Sequence, residues 1–107
     1  MAKNDCFEEL DVRKYAAEIG IEVYDLVDKL PLSKDFKSRD QLSGAAISIS
    51  NNIAEGFEYN DNKNFIRFLE YAKGSAGELR SQAFVLSKAG RIKEDDYWDL
   101  KESLLNI

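Results

Sequence analysis

The chain has 107 residues, the size of one domain, with 15 Lys and Arg against 20 Asp and Glu and a net charge of −5. It contains no histidine, one cysteine (Cys6) and one proline (Pro31). Histidine-based nucleophile pairs, carboxylate–histidine metal boxes, thiolate zinc sites and internal disulfides are thereby excluded.

The first helix is predicted from Val12, Ala16, Ile19, Val23, Leu26 and Leu30, which recur at alternating steps of 4 and 3. Phe7 and Leu10 place its start near Asp5, and Pro31 stops it at Leu30, since the residue before a proline is disfavoured in the α region. Pro31–Lys37 reads as a connection. Ser38 followed by Gln41 has the form of a capping box, so a second helix is expected from about Arg39. Its seam is Leu42, Ala46, Ile49 and Ile53, with Gly56 at its end. Asn60 or Asp61 caps the third helix, whose seam of Phe65, Leu69, Ala72, Ala76, Leu79, Ala83 and Leu86 is the longest in the chain. Gly90 suits the residue just past its end. A short fourth helix begins near Glu94 with acidic residues in its first turn, and its seam of Tyr97, Leu100, Leu104 and Ile107 runs to the last residue. These elements predict an all-α fold: one domain over residues 1–107, an antiparallel up-down four-helix bundle with a short fourth helix.

The faces turned away from these seams are unusual. Helix 2 carries Gly44, Ser48, Asn51 and Glu55 there, and helix 3 carries Arg67, Tyr71, Gly74 and Glu78. A solvated helix face favours Lys, Glu, Gln and Arg, and a mid-helix glycine costs about 1 kcal/mol. The glycines therefore mark contact surfaces, and two readings stand side by side. Helices 2 and 3 could pack closely on each other, with residue 45 opposite residue 73 about a turn near residue 59. Alternatively, the stripes are buried between subunits, a reading helped by the bulky Ile47, Phe57, Ile66 and Phe68 lying beyond the seams.

The run Gln41-Leu42-Ser43-Gly44-Ala45-Ala46-Ile47-Ser48-Ile49-Ser50-Asn51-Asn52-Ile53-Ala54-Glu55-Gly56 resembles the most recognisable stretch of the bacterial four helix bundle proteins encoded in intervening sequences of 23S ribosomal RNA genes, often labelled ribosomal-protein-like. Phe65 through Leu69, Ala72-Lys73-Gly74-Ser75 and Glu78-Leu79 match as well, and Pro31 sits where that family has a proline. The resemblance implies a cyclic homo-oligomer, most simply a pentamer, with no enzymatic activity. It also implies kinship with the accessory proteins of diversity-generating retroelements, which are basic and bind nucleic acid. This chain departs from the family just before Ala45-Ala46, where Ser43 and Gly44 replace the usual arginines, removing a guanidinium that could pair with Glu55 or a phosphate.

Nucleic-acid binding needs clustered cations. Only residues 60–90 are net positive, with 5 basic and 3 acidic groups, and Lys63, Arg67, Lys73, Arg80 and Lys88 are spread thinly along them. An ordinary solvated face is the plainer reading of these residues. Among the acids, Glu18 with Glu22, and Glu94 with Asp95, Asp96 and Asp99, have helix-surface and helix-start spacings. Glu55 and Glu78 accompany glycines and suit a hydrogen bond or an inter-subunit salt bridge. Cys6 has no activating neighbour in sequence. No apolar run approaches the roughly 18 residues of a membrane span, and the polar start does not read as a signal peptide. The expectation is a cytoplasmic, non-catalytic protein with no cofactor and no small-molecule substrate, whose first partner is itself.

Overall fold

The periodic apolar positions read from the sequence do form the core. Ala16, Ile19, Val23 and Leu26 of the first helix meet Leu42, Ala46, Ile49 and Ile53 of the second. Ala72, Ala76, Leu79 and Ala83 of the third and Tyr97, Leu100 and Leu104 of the fourth complete the cluster. The computed structural model describes residues 7–59, 61–105 and 107, with side chains placed from Asp11 onward. Four α-helices, α1 (Phe7–Val27), α2 (Phe36–Glu58), α3 (Asn62–Lys88) and α4 (Glu94–Leu104), and one short 3-10 turn (Leu32–Lys34) account for the architecture. No strand occurs among the described residues. Cys6, the expected helix start at Asp5 and the alternative cap Asn60 lie outside them. The body measures 48 × 21 × 18 Å, so the helices run along one long axis. α2 packs on α1 and on α3, and α4 packs on α3 and on α1, which sets the helices around the core in the order α1, α2, α3, α4.

Several local expectations are corrected. α1 stops at Val27 rather than Leu30. The Lys29 N–H bonds to the Leu26 carbonyl at 3.1 Å, tightening the chain into a turn. Leu30 is left 69% exposed, and Leu32 takes its place in the core. The capping box is also one turn out of register. Asp35, not Ser38, caps α2: its carboxylate accepts from the Ser38 N–H at 3.3 Å and from the Ser38 hydroxyl at 2.8 Å. Asp61 caps α3, accepting from the Asn64 N–H at 2.8 Å, as the sequence suggests. At the far end of α3, Gly90 adopts a left-handed φ of 78°. The Gly90 N–H there bonds to the Ser87 carbonyl, and the Arg91 N–H to the Leu86 carbonyl at 2.8 Å. This paired arrangement ends a helix by satisfying its last carbonyls.

Asp35 also joins the two connections at that end of the molecule, since the Arg91 guanidinium approaches its carboxylate at 3.7 Å. The Ser38 hydroxyl, the Ser38 N–H and, more weakly, Arg91 hold the Asp35 carboxyl below its ordinary value against the small opposing effect of burial. A carboxyl depressed on folding stabilises fully above its unfolded value and loses that effect as the pH falls through its folded value. Asp35→Ala will therefore lower the melting temperature at neutral pH. The gap to wild type will close on acidification, as followed by circular dichroism melts from pH 7 to pH 2.

Candidate functional site

The two glycine-bearing stripes singled out in the sequence lie on α2 and α3. Ser48 and Ser75 meet there through a 2.9 Å hydroxyl–hydroxyl hydrogen bond, and Asn52 donates to the Ser48 carbonyl at 2.8 Å. Nearer the α2–α3 turn, Gly56 lies against Phe65 and Phe68 of α3. Moving back along α2 from Gly56 to Ser48 thus moves forward along α3 from Phe65 to Ser75. Residue 45 falls about level with residue 78, not with residue 73 as a turn centred near 59 predicts.

The two readings of the stripes now separate. Gly44, Asn51, Glu55, Arg67, Tyr71, Gly74 and Glu78 are exposed and Ser48 is half-buried. A Cβ added at Gly44 or Gly74 would meet nothing within 4 Å. Close packing of α2 on α3 therefore requires neither glycine. Gly56 is the glycine it does require, because a Cβ there would lie 3.1 Å from Phe65 Cδ1 and 3.2 Å from Phe68 Cβ. Phe68 is corrected in turn. It is not a residue beyond the seam but is only 8% exposed, with Tyr59 stacked on it, Tyr71 edge-on and the Arg67 guanidinium 5.2 Å from its ring centre. Glu55 and Glu78 make no hydrogen bond or ion pair among the described residues.

One signal in α2 went unread in the sequence. From Gln41 to Ala54 no residue is charged, whereas Asp40 and Glu55 bracket the run and a third of the chain is charged. The buried side of α2 explains the apolar part of this run. It does not explain Gly44 and Asn51, which are exposed, or Ser43, Ile47, Ser50 and Ala54, which are half-buried. At the Asp35 end of the α2–α3 flank a groove of about 260 Å3 is lined by Ser38, Gln41, Ser81, Gln82, Val85 and Leu86. The Gln82 side-chain oxygen is buried there without a hydrogen-bond partner.

The basic residues do not gather on this flank. Lys73 and Arg80 line a different groove, about 210 Å3, between α3 and α4, with Ala76, Gly77, Leu104 and Ile107 as its floor. Lys88 lies over the Phe84 ring at 5.5 Å and Lys101 over the Trp98 ring at 4.7 Å, while Lys63 is exposed near the start of α3. The carboxylates divide similarly. Glu22 of α1 accepts from the Ser103 hydroxyl of α4 at 2.8 Å, and Lys29, in the turn after α1, pairs with Asp96 of α4 at 3.3 Å. Among the described residues no three His, Cys, Asp or Glu side chains converge as metal ligands. No helix among the described residues is long and apolar enough to cross a membrane.

A family model described as 23S rRNA-intervening sequence protein matches the chain over residues 8–107. The chain belongs to this family. No curated protein matches it. The family's description names no activity.

Proposed function

We propose that this member of the 23S rRNA-intervening sequence family is a non-catalytic, cytoplasmic scaffold that assembles with copies of itself as a cyclic homo-oligomer, most simply a pentamer. Its helices run up-down and antiparallel. That topology is supported by the Gly56–Phe65 and Ser48–Ser75 contacts between α2 and α3, by Glu22–Ser103 between α1 and α4 with Lys29–Asp96 tying the turn after α1 to α4, and by Phe84 against Tyr97 between α3 and α4. One observation carries the self-assembly reading: the charge-free run of α2 reaches the surface, where Gly44 has open space above it. An uncharged helix surface built of small residues lets another backbone come close.

Gly44→Leu is the direct test. Added to a solvated helix, leucine raises helix propensity by up to about 1 kcal/mol and leaves the fold unharmed. Added at a close contact between copies, it dissociates them. Native mass spectrometry at micromolar concentration is expected to give a multiple of 12.2 kDa for the wild type and the single-chain mass for the variant, with circular dichroism unchanged. A monomeric wild type overturns the reading.

A nucleic-acid accessory role is favoured by one separate observation. Lys73 and Arg80 flank the α3–α4 groove without a carboxylate partner among the described residues. Copies in a ring would multiply so sparse a patch. Retention of labelled single-stranded RNA at low salt, lost on Lys73→Glu with Arg80→Glu, supports that role, and absence of binding at low salt ends it.

A further inference from the structure

We infer that the α3–α4 groove is a docking site for an acidic amphipathic helix of another protein, one that carries two carboxylates two turns apart with aliphatic side chains between them. The inference is independent of self-assembly, because the groove lies on the α4 side of α3, away from α2. It competes with the nucleic-acid reading for the same cations.

The groove is built on one stripe of α3. Residues 73, 77, 80 and 84 recur at steps of 4, 3 and 4 and so share a face. Phe84 of that stripe meets Tyr97 of α4, with 5.8 Å between ring centres, which turns the stripe toward α4. Lys73 and Arg80 are exposed, and Ala76, Gly77, Leu104 and Ile107 form the aliphatic floor beside them. Moving back along α3 from Phe84 to Gly77 moves forward along α4 from Tyr97 to Leu104. By that count Lys101 stands about level with Arg80, adding a third cation near the rim. No carboxylate lines the groove, and neither Lys73 nor Arg80 has an ion-pair partner among the described residues.

Charge, spacing and floor together select the occupant. Lys73 and Arg80 are two helical turns apart, about 10 Å along the axis. A helix laid alongside presents Asp or Glu at i and i+7 with the same separation, and turns its i+3 and i+4 side chains to the floor between them. The floor has room for them. Gly77 is half-buried, yet a Cβ there would meet nothing within 4 Å, so packing within the chain does not require this glycine. A mid-helix glycine costs about 1 kcal/mol, and it lets a second backbone come close. Nucleic acid fits the groove less well. The exposed rings beside it, Phe84 and Trp98, are each faced by a lysine of this chain, Lys88 at 5.5 Å and Lys101 at 4.7 Å, so neither is an open platform for stacked bases. A long phosphate array also lies against a chain of net charge −5, whereas two carboxylates engage the rim alone.

Fluorescence anisotropy on the full-length chain tests the site. The probe is a labelled synthetic helical peptide with Glu at i and i+7 and Leu at i+3 and i+4 on an alanine–glutamine background. Saturable binding at micromolar concentration is expected, weakened about tenfold by Gly77→Leu, which fills the floor without meeting the chain's own atoms. Lys73→Glu with Arg80→Glu should abolish that binding and confer binding of the same peptide carrying Lys at both Glu positions. Circular dichroism of both variants should match the wild type, since every substituted side chain points to solvent or open space. Binding left unchanged by Gly77→Leu, or by the charge reversal, places the peptide elsewhere and overturns the inference. Absence of saturable binding overturns it as well. So does retention of single-stranded RNA without retention of the peptide, which leaves the groove to the nucleic-acid reading. The mass of the wild type bears on self-assembly alone, so the two readings fail separately.

Discussion

Truncating Leu79 to alanine will be among the most damaging single changes to this fold, costing about 2–5 kcal/mol. Leu79 is fully buried on the α3 side of the core, among side chains that include the alanines Ala45, Ala46, Ala72, Ala76 and Ala83. The six alanines of the core bring the helices close together around Leu79, so they can close only partly over a vacated space. The cavity will therefore stay largely open, which places the cost toward the upper part of that range. Urea denaturation at fixed protein concentration will show a lower midpoint at an unchanged slope. The concentration is held constant because the proposed assembly would couple to stability. The result opposing this account is a loss below about 1 kcal/mol, which would mean that the helices close over the gap.

The second large effect is expected at Gly56. Gly56→Leu places a branched side chain where even a Cβ lies 3.2 Å from Phe68 Cβ, an atom fixed to the α3 backbone. The helix gains up to about 1 kcal/mol in propensity. Pushing α3 away from α2 costs about 1–3 kcal/mol by overpacking, and more where the aromatic group around Phe68 is also displaced. The net change should be destabilising, in contrast to Gly44→Leu, which meets nothing within the chain. Thermal melts of the two variants side by side separate a glycine that the fold needs from one that it does not. Equal loss in both would remove the distinction on which the assembly surface rests.

That distinction was only half legible in the sequence. Spacing by 4 and 3 identified the core because core helices must repeat at the period of the helix, and Ile49, Ile53, Ala72 and Leu79 are buried as that rule requires. It misjudged Leu30, because the position of a helix end depends on which residue the following turn can bury, and Leu32 fills that site. It misjudged the α2 cap because Asp35 and Ser38 are comparable capping residues, and the 3-10 turn before α2 brings Asp35 to the helix start. Phe68 was misplaced for a different reason: it stands four residues before Ala72, on the same buried face of α3, and packs where α2 comes close at Gly56. For the surface, residue identity marked the stripes, but only geometry showed that Gly44 and Gly74 face open space and Gly56 does not. The strongest compositional signal was an absence, the lack of charge from Gln41 to Ala54.

The order in which the helices touch has a consequence for how the molecule comes into being. Helices next to one another in sequence are next to one another in space, and α1 against α4 is the closure that spans the chain. Such a topology has low contact order and folds on the order of microseconds to milliseconds. Loop-closure entropy grows with the separation of the joined segments, so the contact of α4 with α1 is the late step and the three-helix unit α1–α2–α3 the early one. In the assembly proposed above, recognition between nascent copies through α2 can then begin before each chain has finished folding.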